Sequence, residues 1–128
     1  MISAITNDVR VVVETFYKPI QQGNSANEHI FAYRITIENY SDYTIQLLRR
    51  HWEIFDSNGQ IREVDGEGVV GEQPVIQPQE FHQYTSFCNL RSDIGRMSGS
   101  YTMLRHADNK IMKIVVPEFL MMAPFRMN

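Results

Sequence analysis

The chain of 128 residues has one cysteine, Cys88, so no disulfide can form within it. No apolar run approaches the roughly 18 residues that a membrane-spanning helix needs; Ile114-Val115-Val116 is stopped at once by Pro117. Positive charge is not in excess, since 12 lysines and arginines face 15 aspartates and glutamates, for a formal charge of -3. A role built on attraction to a phosphate backbone is therefore not expected, and no nucleic-acid partner is inferred. The one basic pair, Arg49-Arg50, puts its side chains on opposite faces of a strand and reads as a solvated strand edge. The start, Met1 to Asp8, lacks the basic beginning and apolar stretch of a secretory signal. These absences predict a cytoplasmic protein without membrane insertion.

What is present is ordinary globular composition, 43% apolar and 21% charged, enough for one domain to bury a core without staples. The reading is one domain over 1–128 with an ordered core of about 9–124.

Two-residue periodicity dominates. Val9, Val11, Val13, Thr15 and Tyr17 share one face against Arg10, Glu14 and Lys18. Gln21 to Asn27 is a polar turn region, after which Phe31, Tyr33, Ile35 and Ile37 alternate with Arg34, Thr36 and Glu38. From Thr44 to Asp56 the apolar phase slips, with Ile45 and Leu47 in one register and Leu48, Trp52 and Ile54 in the other, which predicts a bulge near Leu47. Asp56-Ser57-Asn58-Gly59 is a hairpin signal, and Gln60 to Val64 returns antiparallel. Asp65 to Glu80, with its glycines and Pro74 and Pro78, reads as an ordered loop with one short extended piece. Phe81 to Cys88 is a further strand, the connection through Leu90, Ser92-Asp93 and Ile94-Gly95 is the one place with room for a single helical turn, and Gly99 to Arg105 pairs with Ile111 to Val116 around Asp108-Asn109. About seven short strands make an all-β, antiparallel sandwich. Tyr101, near Ser98-Gly99, is read either as a tyrosine corner or as a half-buried strand tyrosine.

Few residues carry a chemical signal. Gly66, Gly68 and Gly71 have the spacing of a dinucleotide-binding fingerprint, but the helix that would face a pyrophosphate cannot begin before Pro74 and Pro78, and Asp65, Glu67 and Glu72 would repel an anion. A bare anion cradle of backbone amides, a packed loop, and a divalent-cation site on Glu63, Asp65, Glu67 and Glu72 are the readings left open. His29, His51, His82 and His106 lack zinc-ligand spacing. His82 and Cys88 lie six apart on one strand, too far for a nucleophile pair, and Cys88 is read as a small core residue. The apolar tail from Pro117 to Phe125 is either a closing strand or a contact surface, with Phe119 and Met121 as its contact residues.

The run from Asp65 to Pro78, Phe81 with Tyr84 and Ser86, the Gly95-x-Met97-x-Gly99-x-Tyr101-x-Met103 pattern and Val116-Pro117-x-Phe119 together closely resemble the ApaG family in its bacterial single-domain form, over about Val9 to Pro124. The resemblance implies a fibronectin type III-like or immunoglobulin-like sandwich and does not imply an enzyme, since the family has no established catalytic activity; no cofactor is expected. It links the chain to the neighbourhood of diadenosine tetraphosphate hydrolysis and, through the alternative family name CorD, to cobalt and magnesium efflux. It also implies partner recruitment, as in F-box proteins that carry the domain, and a pyrophosphate site that would fall on Gly66, Gly68 and Gly71. The leading expectation is a non-enzymatic module that binds a protein. The alternative is a sensor of nucleotide or pyrophosphate at the glycine loop, and pairing with a second copy of the chain is left open.

Overall fold

The structure, a computed structural model, describes residues 1–18 and 29–124. The turn expected over Gln21 to Asn27, and Phe125 at the end of the tail, lie outside them. Nine strands are described: β1 (Ile2–Thr6), β2 (Val9–Lys18), β3 (His29–Asn39), β4 (Ile45–Asp56), β5 (Ile61–Glu67), β6 (Val75–Ile76), β7 (Phe81–Leu90), β8 (Ile94–Arg105) and β9 (Lys110–Met122). They form two antiparallel sheets, one in the order β1-β2-β3-β7 and one in the order β5-β4-β8-β9, with β6 beside the start of β4. The expected sandwich is what forms.

The alternating residues meet between the sheets. Val9, Val11 and Val13 of β2 and Phe31, Tyr33, Ile35 and Ile37 of β3 face Ile45, Leu47, Trp52 and Ile54 of β4, Met97, Tyr101 and Met103 of β8, and Met112, Ile114 and Val116 of β9. Tyr33, Trp52, Tyr101 and Phe119 pack ring against ring, with Trp52 edge-on to each of the other three. Gly99 makes room for the indole, because a Cβ there would lie 2.8 Å from a Trp52 ring carbon and 2.1 Å from the His51 carbonyl oxygen.

The expected phase slip in β4 is a register shift between Leu47 and Arg49. Upstream of it Ile45 and Leu47 point inward; downstream it is Trp52, Ile54 and Asp56. The hairpin at Asp56 also forms, with Gly59 at φ +97° and its amide donating to the Asp56 carbonyl over 2.9 Å.

Other expectations are corrected. The strand count is nine rather than seven among the described residues, partly because β1 precedes Val9, folding back at Asn7 and Asp8, whose φ of 50° and 63° suit those two residue types. Strand β5 runs through Glu67, past the expected end at Val64. Residues 91–93 form bends instead of a helical turn, because Asp56 accepts the Arg91 amide over 2.7 Å and the Ser92 hydroxyl, fixing the chain around a buried carboxylate. Tyr101 is no tyrosine corner: it is fully buried, and its hydroxyl meets that of Tyr84 in the opposite sheet at 2.5 Å. The tail is core. Strand β9 absorbs Pro117 at a register shift, which returns Phe119 and Met121 to the inward phase, 4% and 0% exposed. Side chains so placed cannot be surface contacts.

The two long sides of the sandwich differ. On one side β1 and β2 lie against β9, and the Val115 amide donates to the Thr6 hydroxyl. On the other, β7 and β5 face each other across a gap, bridged where Arg62 donates to the Asn89 carbonyl over 2.5 Å.

Candidate functional site

A cleft of about 430 Å³ opens in that gap, lined by Tyr33, Arg50 and Trp52 from within, by Glu67 and residues 69–71 on the β5 side, and by residues 84–87 of β7. The bulge in β4 builds it, since the slip that sends Trp52 inward also turns Arg50 inward, at the end of the aromatic cluster. Arg50 is thus not a residue of a solvated strand edge; β4 is an interior strand, and only Arg49 is exposed. The Arg50 Nη1 donates to the carbonyl oxygens of Glu67 and Gly68, each over 2.9 Å. Arginine on the inner phase beside a bulge was the sequence signal for this site, and pairing it with Arg49 concealed it.

Each glycine of the 66–71 motif has a place in this arrangement. Gly66, opposite Arg50 in the ladder, leaves space for the guanidinium, whose atoms would lie 2.8 to 2.9 Å from a Cβ there. Gly68 takes φ +62° with the Glu72 carbonyl oxygen 2.2 Å from where its Cβ would be, and its amide donates to the Leu48 carbonyl over 2.8 Å. Gly71, at φ +76°, is the second central residue of a two-residue turn closed by reciprocal Val69 and Glu72 backbone bonds of 2.8 and 3.0 Å. The amides of Gly68, Val69 and Glu72 are therefore committed inside the protein. The loop is a tight hairpin tip rather than a strand-to-helix turn.

Val70 is the other central residue of that turn. It holds φ 48°, a conformation that a β-branched side chain strongly disfavours, and is 63% exposed. A strained apolar side chain offered to solvent does nothing for the core.

The carboxylates expected to bind a cation separate. Glu63 and Asp65 project from β5 beside Glu53 and His51 of β4, each directly opposite its neighbour in the ladder. His51 Nδ1 lies 2.9 Å from Asp65 Oδ1, and one ligand atom from each of His51, Glu53 and Glu63 falls within 4.8 Å of the others. Glu67 lines the cleft and Glu72 closes the turn, so neither joins this group. His51 and Glu53 were invisible as partners until the strand register aligned them.

Cys88 does not line the cleft. Burial pushes the Cys88 thiol up despite Arg62 Nη2 lying 3.8 Å from its sulfur. Burial likewise raises the Tyr33, Tyr84 and Tyr101 phenols, which remain neutral hydrogen-bonding groups.

Residues 19–105 match the family described as the ApaG domain. A Brucella canis protein named ApaG is 43% identical over 124 residues, covering 97% of this chain and 95% of the relative. Two solved structures superpose closely. An X-ray structure of a structural-genomics target has a TM-score of 0.86 at 37% identity, covering 95% of this chain and 92% of that one. A Bordetella pertussis crystal structure described as ApaA has a TM-score of 0.85 at 37% identity, covering 91% and 94%.

Proposed function

The chain belongs to the ApaG-domain family, and from that premise we propose that it is a non-catalytic binding module whose protein partner sits on the open side of the sandwich, over the tip of the 66–71 loop. The observation that carries this reading is Val70, held at φ 48° and exposed at the mouth of an aromatic cleft. Strain of this kind persists where the surrounding structure enforces it, and it gathers at functional sites. Arg50 and the three glycines supply the enforcement. The contact surface is thereby moved from the tail, where Phe119 and Met121 are buried, to the loop.

The test is affinity capture from the native host with the wild type, Val70→Asn, and Ile111→Asn on β9 at the closed side. A specific partner lost by Val70→Asn and kept by Ile111→Asn supports the reading. A partner kept by the first variant overturns it.

A second reading rests on His51, Glu53 and Glu63, whose ligand atoms converge on the outer face of β4 and β5. Imidazole with carboxylates suits cobalt or zinc better than magnesium, and Asp65 Oδ1, 2.9 Å from His51 Nδ1, helps to fix the orientation of the imidazole. A melting temperature raised by cobalt in the wild type and unmoved in Glu53→Gln supports it, since a ligand that binds only the folded state must stabilise it. No rise at saturating cobalt sinks it.

A further inference from the structure

Exposed strand edges invite pairing with another chain, and proteins blunt them with charge, proline, bulges or brevity. Among the described residues, three of the four edges are blunted. Strand β1 has five residues; β5 carries Arg62, Glu63, Asp65 and Glu67; β9 carries Lys110, Lys113, Pro117 and a register shift. Strand β7 is the exception. Phe81-His82-Gln83-Tyr84-Thr85-Ser86-Phe87-Cys88-Asn89-Leu90 contains no lysine, arginine, aspartate, glutamate, proline or glycine, and its ladder to β3 runs without a shift.

Its free backbone groups can be assigned. The Glu80 carbonyl accepts from Asn39 next to β3, whereas the Asn89 carbonyl is reached by Arg62 from the β5 side. Alternate residues of an antiparallel strand bond to the same neighbour, so the amides and carbonyls of Phe81, Gln83, Thr85 and Phe87 point away from β3. Arg62 ends this free stretch at Asn89.

We propose that β7 pairs antiparallel with β7 of a second copy of this chain, about a two-fold axis at Tyr84, joining the two four-stranded sheets into one of eight strands. The strand is self-complementary about that axis. Phe81 and Phe87, three residues to either side, are 66% and 61% exposed, and the pairing sets each opposite the other's counterpart. Gln83 falls opposite the partner's Thr85. All four have backbone groups that point away from β3 and bond to nothing among the described residues, as the hydrogen-bonded positions of an antiparallel pair require. With no charge on the strand, no like charges oppose one another across the axis. Phe87 also continues an apolar row, because Phe87, Ala32 and Phe16 are consecutive partners across β7, β3 and β2.

This pairing does not rest on the reading of the loop, but Thr85 and Phe87 line the same cleft as Val70, so a second copy on β7 and a partner on the loop compete for one side of the sandwich. The experiment is sedimentation equilibrium of the full chain from roughly 1 μM to roughly 1 mM, a range over which mass action drives a weak dimer together, with hydrogen exchange read at 83, 85 and 87. The wild type is expected to rise from 14.9 kDa towards twice that mass, with those amides slowing in step. Thr85→Pro removes one outward amide, and the double variant Gln83→Lys, Thr85→Lys sets lysines opposite each other across the axis. Both stay monomeric; if the proline variant does not fold, the lysine pair decides alone. A wild type monomeric throughout, a dimer without slowed β7 amides, or a lysine variant that dimerises like the wild type overturns the proposal.

Discussion

Arg50 lies against Gly66 so closely that a Cβ on the glycine would sit 2.8 Å from its Nη2. The first glycine of the motif seats an arginine that holds the loop from beneath, by way of the Glu67 and Gly68 carbonyls. The motif is consumed by the fold, and what it presents outward is Val70.

Substitutions at the three glycines should rank by geometry. Gly68→Ala meets a backbone carbonyl at 2.2 Å and a positive φ, and is expected to cost about 3 kcal/mol or more. Gly71→Ala meets nothing within 4 Å and bears only the left-handed conformation, about 1–2 kcal/mol. Gly66→Ala displaces the movable end of Arg50, for about 1 kcal/mol. Chemical denaturation of the three variants gives the order directly.

The Gly68, Val69 and Glu72 amides already donate inside the protein, which takes three of the loop's donors away from an anion. Isothermal titration with ATP or diadenosine tetraphosphate is expected to show no saturable heat at about 1 mM ligand, the weakest binding of interest. A saturable isotherm abolished by Gly71→Ala would restore the nucleotide reading.

Asp56 is buried, and burial by itself pushes its carboxyl up; the Ser92 hydroxyl and the Arg91 amide more than offset this and hold it below the ordinary aspartate value. The unfolded carboxyl titrates near about 3.9. A depressed folded value makes the carboxylate stabilising above that pH and less so as the pH falls through the folded value. Asp56→Asn should therefore lower the melting temperature at neutral pH and lose less than the wild type on acidification below about pH 4. Parallel melts at pH 7 and pH 3 measure both.

Tyr84 and Tyr101 join the sheets through their hydroxyls. Tyr84→Phe leaves the buried Tyr101 hydroxyl without that partner, at about 1–3 kcal/mol. The double change to phenylalanine should cost less than the sum of the two single changes. A fully additive denaturation cycle would show that the bond adds nothing.

The two-residue alternation made the sandwich legible, and the slip in apolar phase between Leu47 and Trp52 marked the bulge. Strand β1 was missed although Asn7-Asp8 carried its turn signal, because Ile2 to Thr6 hardly alternates and lies mostly at the surface. The tail misled because apolar residues at a chain end read equally as core or contact; only the shift at Pro117 decides where Phe119 points. For the site, spacing along the chain showed glycines and acids but not register, and register is what sets Arg50 over Gly66, and His51 beside Asp65.

In the proposed function Val70 serves a contact and not the fold, and one variant measured twice tests this. Asparagine tolerates positive φ and precedes glycine in favoured tight hairpin turns, so Val70→Asn should raise stability by about 0.5–1 kcal/mol while the partner captured by the wild type is lost. A variant that is destabilised, or one that is stabilised and still holds that partner, contradicts the claim.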